Sequence, residues 1–316
     1  MIARFVPFGA AAPAEALAVD GAVIGTRAIY SHWQGDHTTP SELAADTSTG
    51  MLVRAAADEA RWLTPFSVVC NNHIDADGLL SLLCACRPDL ARRHAPVLIA
   101  AATAGDFTIW TGEPGYRLVL RLHQLIRDQQ ALGSGWEQRT LDELLASAEA
   151  LLTSDEHANR HERDAAVAQV AATIDRLIQA PPELIGRMAV VRWQRRLGHA
   201  SDAFLSVYQP DDLPLMALSV VIPATHFQLL IEEIPEGIIV DLSAPRHSWA
   251  RTVDLPAVAW PDLNGVAAAL KQAEPTVAWT ARPGAEAVGY TCLLASRGVS
   301  RLDPAAVIAA CANVFT

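Results

Sequence analysis

Phe66-Ser67-Val68-Val69-Cys70-Asn71-Asn72-His73-Ile74-Asp75-Ala76-Asp77-Gly78-Leu79-Leu80-Ser81-Leu82-Leu83-Cys84-Ala85-Cys86 passes from one apolar run, through a short polar turn, into a second. The first run, over 66–71, is short and β-branched at its centre and reads as a strand. The second, over 79–86, is rich in Leu and Ala and reads as a helix. A strand that hands over to a helix is the building unit of an α/β fold with a parallel sheet. The turn between them carries the chemistry. Alternation along an extended chain puts His73, Asp75 and Asp77 on one side, where their heads can converge on a single cation. Asp77-Gly78 supplies the turn, because Gly adopts backbone angles closed to other residues. The same residues also suit a plain capping turn, with Asp77 as N-cap of a helix starting near Leu79. Three such groups this close repel or go unused in a structural strand, and a divalent metal removes that conflict.

Outward from this segment, strand and helix patterns alternate. Residues 23–30 read as a strand running into the polar loop Ser31-His32-Trp33-Gln34-Gly35-Asp36-His37. Thr39-Pro40 starts a helical pattern that continues, with a break near 47–50, to Leu63. Residues 96–102 read as a further strand, with Asp106 just beyond its end, followed by a helix over 116–130. Residues 141–195 read as helical throughout, punctuated by Pro181-Pro182. Later come short β-type runs over 204–208, 216–222, 227–231 and 238–242, a helix over 263–273, a strand over 288–295 and a closing helix over 304–312. The expected fold is α/β: a mostly parallel open sheet with flanking helices, a helical middle segment and a smaller C-terminal α/β domain. The expected boundaries are 1–140, 141–198 and 199–316.

Open parallel sheets bind ligands at the carboxyl ends of their strands. His73, Asp75 and Asp77 fall there, and Asp106 is read as a fourth metal ligand or a base. His32 can complete the shell or act in catalysis, while Trp33 and His37 on the same loop can contact substrate. His226, Asp241 and the Arg246-His247-Ser248-Trp249 cluster are expected at the surface.

The 316-residue chain carries 51% hydrophobic residues and a formal charge of -11. That is enough apolar content for a core, and the charge argues against long nucleic acid or an anionic membrane as partner. A local basic stretch over 187–196 is the exception. Lysine occurs once, at Lys271, so Schiff-base chemistry lacks a supported nucleophile. P-loop, dinucleotide and serine-hydrolase signatures are absent. Five cysteines without C-x-x-C spacing read as buried thiols in a reducing compartment, which makes the cytoplasm the default location. Residues 5–12 imitate a signal peptide, but Pro7, Gly9 and Pro13 break the apolar centre. The expected partner is a small-molecule substrate, with a homodimer compatible with the composition.

Residues 67–83 resemble the first motif of the DHH phosphoesterase superfamily. There, an Asp-x-Asp-x-Asp-Gly or His-x-x-x-Asp-x-Asp stretch follows the first sheet strand and holds manganese or magnesium. The form here is Asn72-His73-Ile74-Asp75-Ala76-Asp77-Gly78. The resemblance implies Mn2+ or Mg2+ on His73, Asp75 and Asp77, a second-motif ligand at Asp106, and hydrolysis of a small phosphoester or nucleotide-like substrate. Two family motifs depart from the pattern. Asp-His-His is replaced at best by Asp155-Glu156-His157 with His161, and the glycine-rich phosphate motif has only an echo over 284–289. Those departures leave open a metal-dependent enzyme on a non-phosphate substrate, or a ligand-binding domain without turnover. A looser similarity, to a bacterial family pairing a Ser-His-Trp loop with Asn-His-x-Asp-x-Asp-Gly, implies one site built from both loops.

Overall fold

The computed structural model describes residues 1–35, 38–153, 160–194, 215–281 and 292–315. The chain divides into two compact units, one of Met1–Ala168 with Ala250–Asp254, the other of Gln169–Trp249 with Leu255–Thr316.

In the first unit, β1 (Ile2–Phe5), β2 (Ala16–Val19), β3 (Ala28–Tyr30) and β4 (Val68–Asn71) form a sheet in the order β1-β4-β2-β3. All three pairings are parallel. Every residue of β2 and β4 is buried, which is why they read as continuous apolar runs without alternation. The helices are α1 (Ser48–Ala57), α2 (Glu59–Trp62), α3 (Ala76–Cys86), α4 (Pro88–Arg93), α5 (Ala95–Phe107), α6 (Glu113–Ala131), α7 (Trp136–Thr153) and α8 (Arg160–Gln179), within which the unit boundary falls. Thr47 caps α1 by accepting from Gly50 N, and Asp75 caps α3 by accepting from Gly78 N at 2.8 Å.

The strand expected over 96–102 is the interior of α5. Pro96 sits in its first turn, where a missing N–H costs nothing, and the Ala-rich run that follows is the best of helix formers. Its burial on several sides erased the periodicity that would have marked it. Gly105 lets α5 approach α3, since a Cβ there would lie 2.5 Å from the Ala76 Cβ. The strand expected over 23–30 is confined to Ala28–Tyr30, and β1 and β2 precede it.

In the second unit, β5 (Glu183–Ile185), β6 (Met188–Gln194), β7 (Phe227–Ile234), β8 (Gly237–Ser243), β9 (Ala278–Ala281) and β10 (Cys292–Arg297) form a mixed sheet in the order β5-β6-β7-β8-β10-β9. Helices α9 (Leu215–Val221), α10 (Asn264–Ala273) and α11 (Pro304–Ala312) accompany it. The helical reading of 141–195 therefore ends at Gln179. Beyond Pro181-Pro182, Met188–Val191 are buried between β5 and β7, and sheet pairing overrides local helix propensity. Residues 216–222, expected as a strand, lie largely in α9, whose Leu218 packs with Ile222 against Ala189, Val191 and Leu230. Residues 204–208 lie outside the described part. His247, expected at the surface, is buried, with Nε2 2.9 Å from the Pro256 carbonyl oxygen. Among the described residues, no helix is long and apolar enough to cross a membrane.

Candidate metal centre

Three neighbouring parallel strands deliver polar side chains from the same edge of the first sheet. β2 ends at Val19 and is followed by Asp20, β3 is followed by Ser31 and His32, and β4 leads through Asn71 to His73 and Asp75. Asp77 sits in the first turn of α3, and Asp106 near the end of α5. Among the described residues, these side chains make two groups whose ligand atoms lie within 4.8 Å of one another: Asp20, His32, Asp77 and Asp106, and Asp20, His73 and Asp75. Asp20 belongs to both. The expectation that His73, Asp75 and Asp77 meet at one point thus gives way to a motif divided between two groups. The reason is local: β4 stops at Asn71, so strand alternation does not extend to Asp77, which lies on a helix.

Asp20 is buried and holds a left-handed backbone, φ 64°, a conformation that costs a non-glycine residue about 1 kcal/mol or more. It is pinned by its N–H donating to Tyr30 O at 3.0 Å and by the Ser31 hydroxyl donating to its carbonyl. Its Oδ1 accepts from Ser48 Oγ at 3.1 Å. Oδ2 lies 2.8 Å from His73 Nε2, yet neither atom makes a hydrogen bond of acceptable geometry.

Asp77 is fully buried and faces the N-terminus of α1. Its Oδ2 accepts from Ser48 N and its Oδ1 from Thr49 N, both at 2.7 Å. These are N–H groups that the helix itself cannot satisfy. Carboxylate oxygens have further lone pairs, so Asp77 can anchor α1 and still face a cation. His32 Nδ1 lies 3.3 Å from Asp77 Oδ2, and its Nε2 lies 3.2 Å from Asp106 Oδ2. Ser48 meets the same nitrogen, its N–H donating to Nδ1 at 3.1 Å and its Oγ lying 3.1 Å away, while that N–H also donates to Asp77 Oδ2 at 2.7 Å. The Phe107 ring meets the His32 ring edge-on at 5.8 Å.

The electrostatics follow from packing four carboxylates with two imidazoles out of water. Burial and the neighbouring Asp77 push the Asp106 carboxyl well above its usual range. Burial and Asp75 push Asp20 up. Burial works against a charged His73, but Asp75 and Asp20 overcome it and lift the imidazole to about 12. Burial likewise disfavours charged His32, and Asp106 and Asp77 raise it well above normal. Burial works against a charged Asp75, but His73, the Gly78 N–H and His32 together move its carboxyl down. Asp106 also lies at the negative end of α5, an unfavourable place for an anion. The His73 and Asp75 side chains, 28% and 37% exposed, form the open side of the cluster.

A segment distant in sequence closes the His32 loop. Arg251 N donates to His32 O at 2.6 Å, Ala250 bridges Trp33, and Asp46 Oδ1 accepts from Val253 N at 2.5 Å and Asp254 N at 2.8 Å. Trp33, read as a substrate contact, lies outside both ligand groups and packs its ring against His73 at 5.4 Å. Asp36, His37 and His157 lie outside the described residues, as does the echo over 284–289. His161 is exposed near the start of α8 and belongs to neither group.

A sequence profile described as "Family of unknown function (DUF6687)" matches residues 1–303. The chain belongs to this family. No curated protein and no solved structure shows significant similarity to it. In this DUF6687 chain the residue that sequence reading missed is Asp20. Its signal was present: Ala16-Leu17-Ala18-Val19-Asp20-Gly21 ends an apolar run in Asp-Gly, as the recognised motif does at Asp77-Gly78. Gly78 itself needs correction. It lies inside α3 without a left-handed backbone, and is required because a Cβ would fall 2.2 Å from Asn71 Nδ2.

Proposed function

We propose that the chain is a divalent-metal-dependent hydrolase of a small phosphoester or nucleotide-like substrate, of the kind the DHH phosphoesterase superfamily contains. The observation that carries this reading is the buried Asp20 carboxylate shared by two groups of ligand atoms, with Oδ2 left without a hydrogen bond 2.8 Å from His73 Nε2. The donor set fits the cation. Hard carboxylate oxygens with one imidazole in each group suit Mn2+ or Mg2+ better than structural zinc. One ion would be held by Asp20, His73 and Asp75, the other by Asp20, His32, Asp77 and Asp106. With both imidazoles neutral as ligands, four carboxylates match the charge of two divalent ions.

Bound divalent ions supply a lowered pKa for water and charge stabilisation for a phosphoryl group. The protein's own residues do the rest. The N-terminus of α1 holds Asp77 rigidly. Trp33 beside His73 offers a ring on the open side, against which a base can pack. The test is metal content of the purified protein, followed by hydrolysis of a p-nitrophenyl phosphodiester and of pyrophosphate with Mn2+. Stoichiometric metal and Mn2+-dependent turnover, both lost in Asp20→Asn, support the reading. Metal without turnover would leave a ligand-binding domain, and no metal would end the proposal.

A further inference from the structure

We infer that Asn72 is a positioning residue of this centre: its side-chain oxygen keeps a proton on His73 Nδ1, so that the Nε2 lone pair is the one left for an ion. The inference rests on the metal-dependent reading above. A histidine that ligates through one ring nitrogen keeps its N–H on the other, and the partner of that N–H decides which nitrogen is which. Here the partner is the neighbouring side chain. Asn72 Nδ2 donates to Ala22 O at 2.8 Å. A backbone carbonyl only accepts, so the NH2 must lie on that side and the amide oxygen on the other. That oxygen is 2.9 Å from His73 Nδ1 and calls for an N–H there. The opposite nitrogen faces the carboxylates, with Nε2 2.8 Å from Asp20 Oδ2 and 3.3 Å from Asp75 Oδ2. Neither Nε2 nor Asp20 Oδ2 makes a hydrogen bond of acceptable geometry, and the three residues form one of the two groups able to hold an ion.

The amide is itself held in place. Asn72 N donates to Asn71 Oδ1 at 2.7 Å. Ala22 belongs to the turn that delivers Asp20, so this one side chain ties the turn after β2 to the turn after β4 and sets the two ligands in register. Gly21 makes room for it. A Cβ there would lie 2.2 Å from Asn72 Oδ1 and 3.0 Å from His73 Nδ1, so a larger residue would push the bonded pair away from the Asp20 turn. The Trp33 ring packs on the imidazole from its own side, with centroids 5.4 Å apart, and restricts rotation of the ring. Without the Asn72 oxygen either nitrogen can keep the proton. The form protonated at Nε2 then hydrogen-bonds to the carboxylates and competes with the ion for them.

The test uses the full chain with isotopically labelled histidine, read by nitrogen NMR after loading with Zn2+, a closed-shell ion that leaves the spectra undisturbed. His73→Gln identifies the His73 signals. In wild type the ring should show a protonated Nδ1 and a metal-bound Nε2. Asn72→Ala removes both bonds of the amide, whereas Asn72→Asp keeps an oxygen for Nδ1 and gives up only the donor to Ala22 O. Mn2+ affinity of the Asp20, His73 and Asp75 group, read by calorimetry, should fall roughly ten- to a hundred-fold in Asn72→Ala and much less in Asn72→Asp. The Nδ1–H pattern should survive in Asn72→Asp and give way to a mixture of the two forms in Asn72→Ala. A wild type that ligates through Nδ1 would overturn the inference. So would wild-type Mn2+ affinity in Asn72→Ala, or an equal fall in both variants with the Nδ1–H pattern intact, which would leave the tie to Ala22 as the whole role of the amide. A wild type that takes up neither ion would instead refute the metal reading, and this inference with it.

Discussion

Asp77→Asn and Asp106→Asn, compared in metal-free protein, should separate two kinds of carboxylate that look alike as metal ligands. Asp77 accepts from Ser48 N and Thr49 N at 2.7 Å each, one oxygen per N–H. An asparagine keeps one acceptor and turns its NH2 on the other helix N–H. The loss is one charge-assisted hydrogen bond plus one unsatisfied buried N–H, together about 3–5 kcal/mol. For a protein of this size that corresponds to a fall in Tm of roughly 6–20 °C. Asp106 is different. Its carboxyl is raised well above the usual range by burial and by Asp77, so folding holds it partly against its charge. A group raised in this way stabilises fully below its unfolded pKa and loses that contribution as pH rises through the folded value. Asparagine mimics the protonated form, so Asp106→Asn should leave metal-free stability at pH 7 unchanged or raised by up to about 1 kcal/mol. Both variants should lose stabilisation by Mn2+. The measurement is urea and thermal unfolding in EDTA, then with Mn2+. Equal metal-free stabilities for the two variants would refute the assignment of Asp77 as the anchor of α1.

Saturating Mn2+ should raise Tm in wild type and not in Asp20→Asn; a hundredfold excess over Kd corresponds to about 2.7 kcal/mol, and an equal response in the two proteins would remove Asp20 from the site. Metal uptake at pH 7 should release at least two protons, because His32 and His73 are both raised above normal in the free protein and must be neutral to ligate, and the raised Asp106 carboxyl adds to the count when it ligates as the anion; calorimetry in buffers of different ionisation enthalpy counts them, and a count of zero contradicts the raised imidazoles. Gly78→Ala should destabilise, whereas an ordinary helix position gains about 1 kcal/mol from this change; a stabilised variant would show that Asn71 moves aside freely. Asp46→Ala removes the acceptor for Val253 N and Asp254 N and should cost about 1–3 kcal/mol while weakening Mn2+ binding through the His32 loop, which unchanged titrations would disprove.

The motif around His73 was legible because strand, turn and helix each leave a signal in the right order, and β4 and α3 carry it. Asp20 was not, because β2 is only four residues long and buried throughout, so it lacks the alternation that announces a strand. The carboxylate it delivers depends on a left-handed residue that the sequence marks only as Asp-Gly. Asp106 was singled out for a strand end and in fact rides on α5; an Ala-rich segment buried on several sides hides its period, so residue type was readable there while geometry was not. Asp77 illustrates a further limit. Nothing near it in the sequence reveals that Ser48 and Thr49 meet its carboxylate, since that contact is made only when α1 and α3 pack together.

The strap of residues 250–254 makes chain synthesis part of the history of the centre. Asp20, His32, His73, Asp75, Asp77 and Asp106 are all made by residue 106, but the bonds that the Arg251, Val253 and Asp254 N–H groups give to the His32 carbonyl and to Asp46 can form only once those residues have been made. At typical translation rates that interval is on the order of seven to thirty seconds. During it the acidic cluster must stay in place without this fastening, which joins residues more than two hundred positions apart in the sequence.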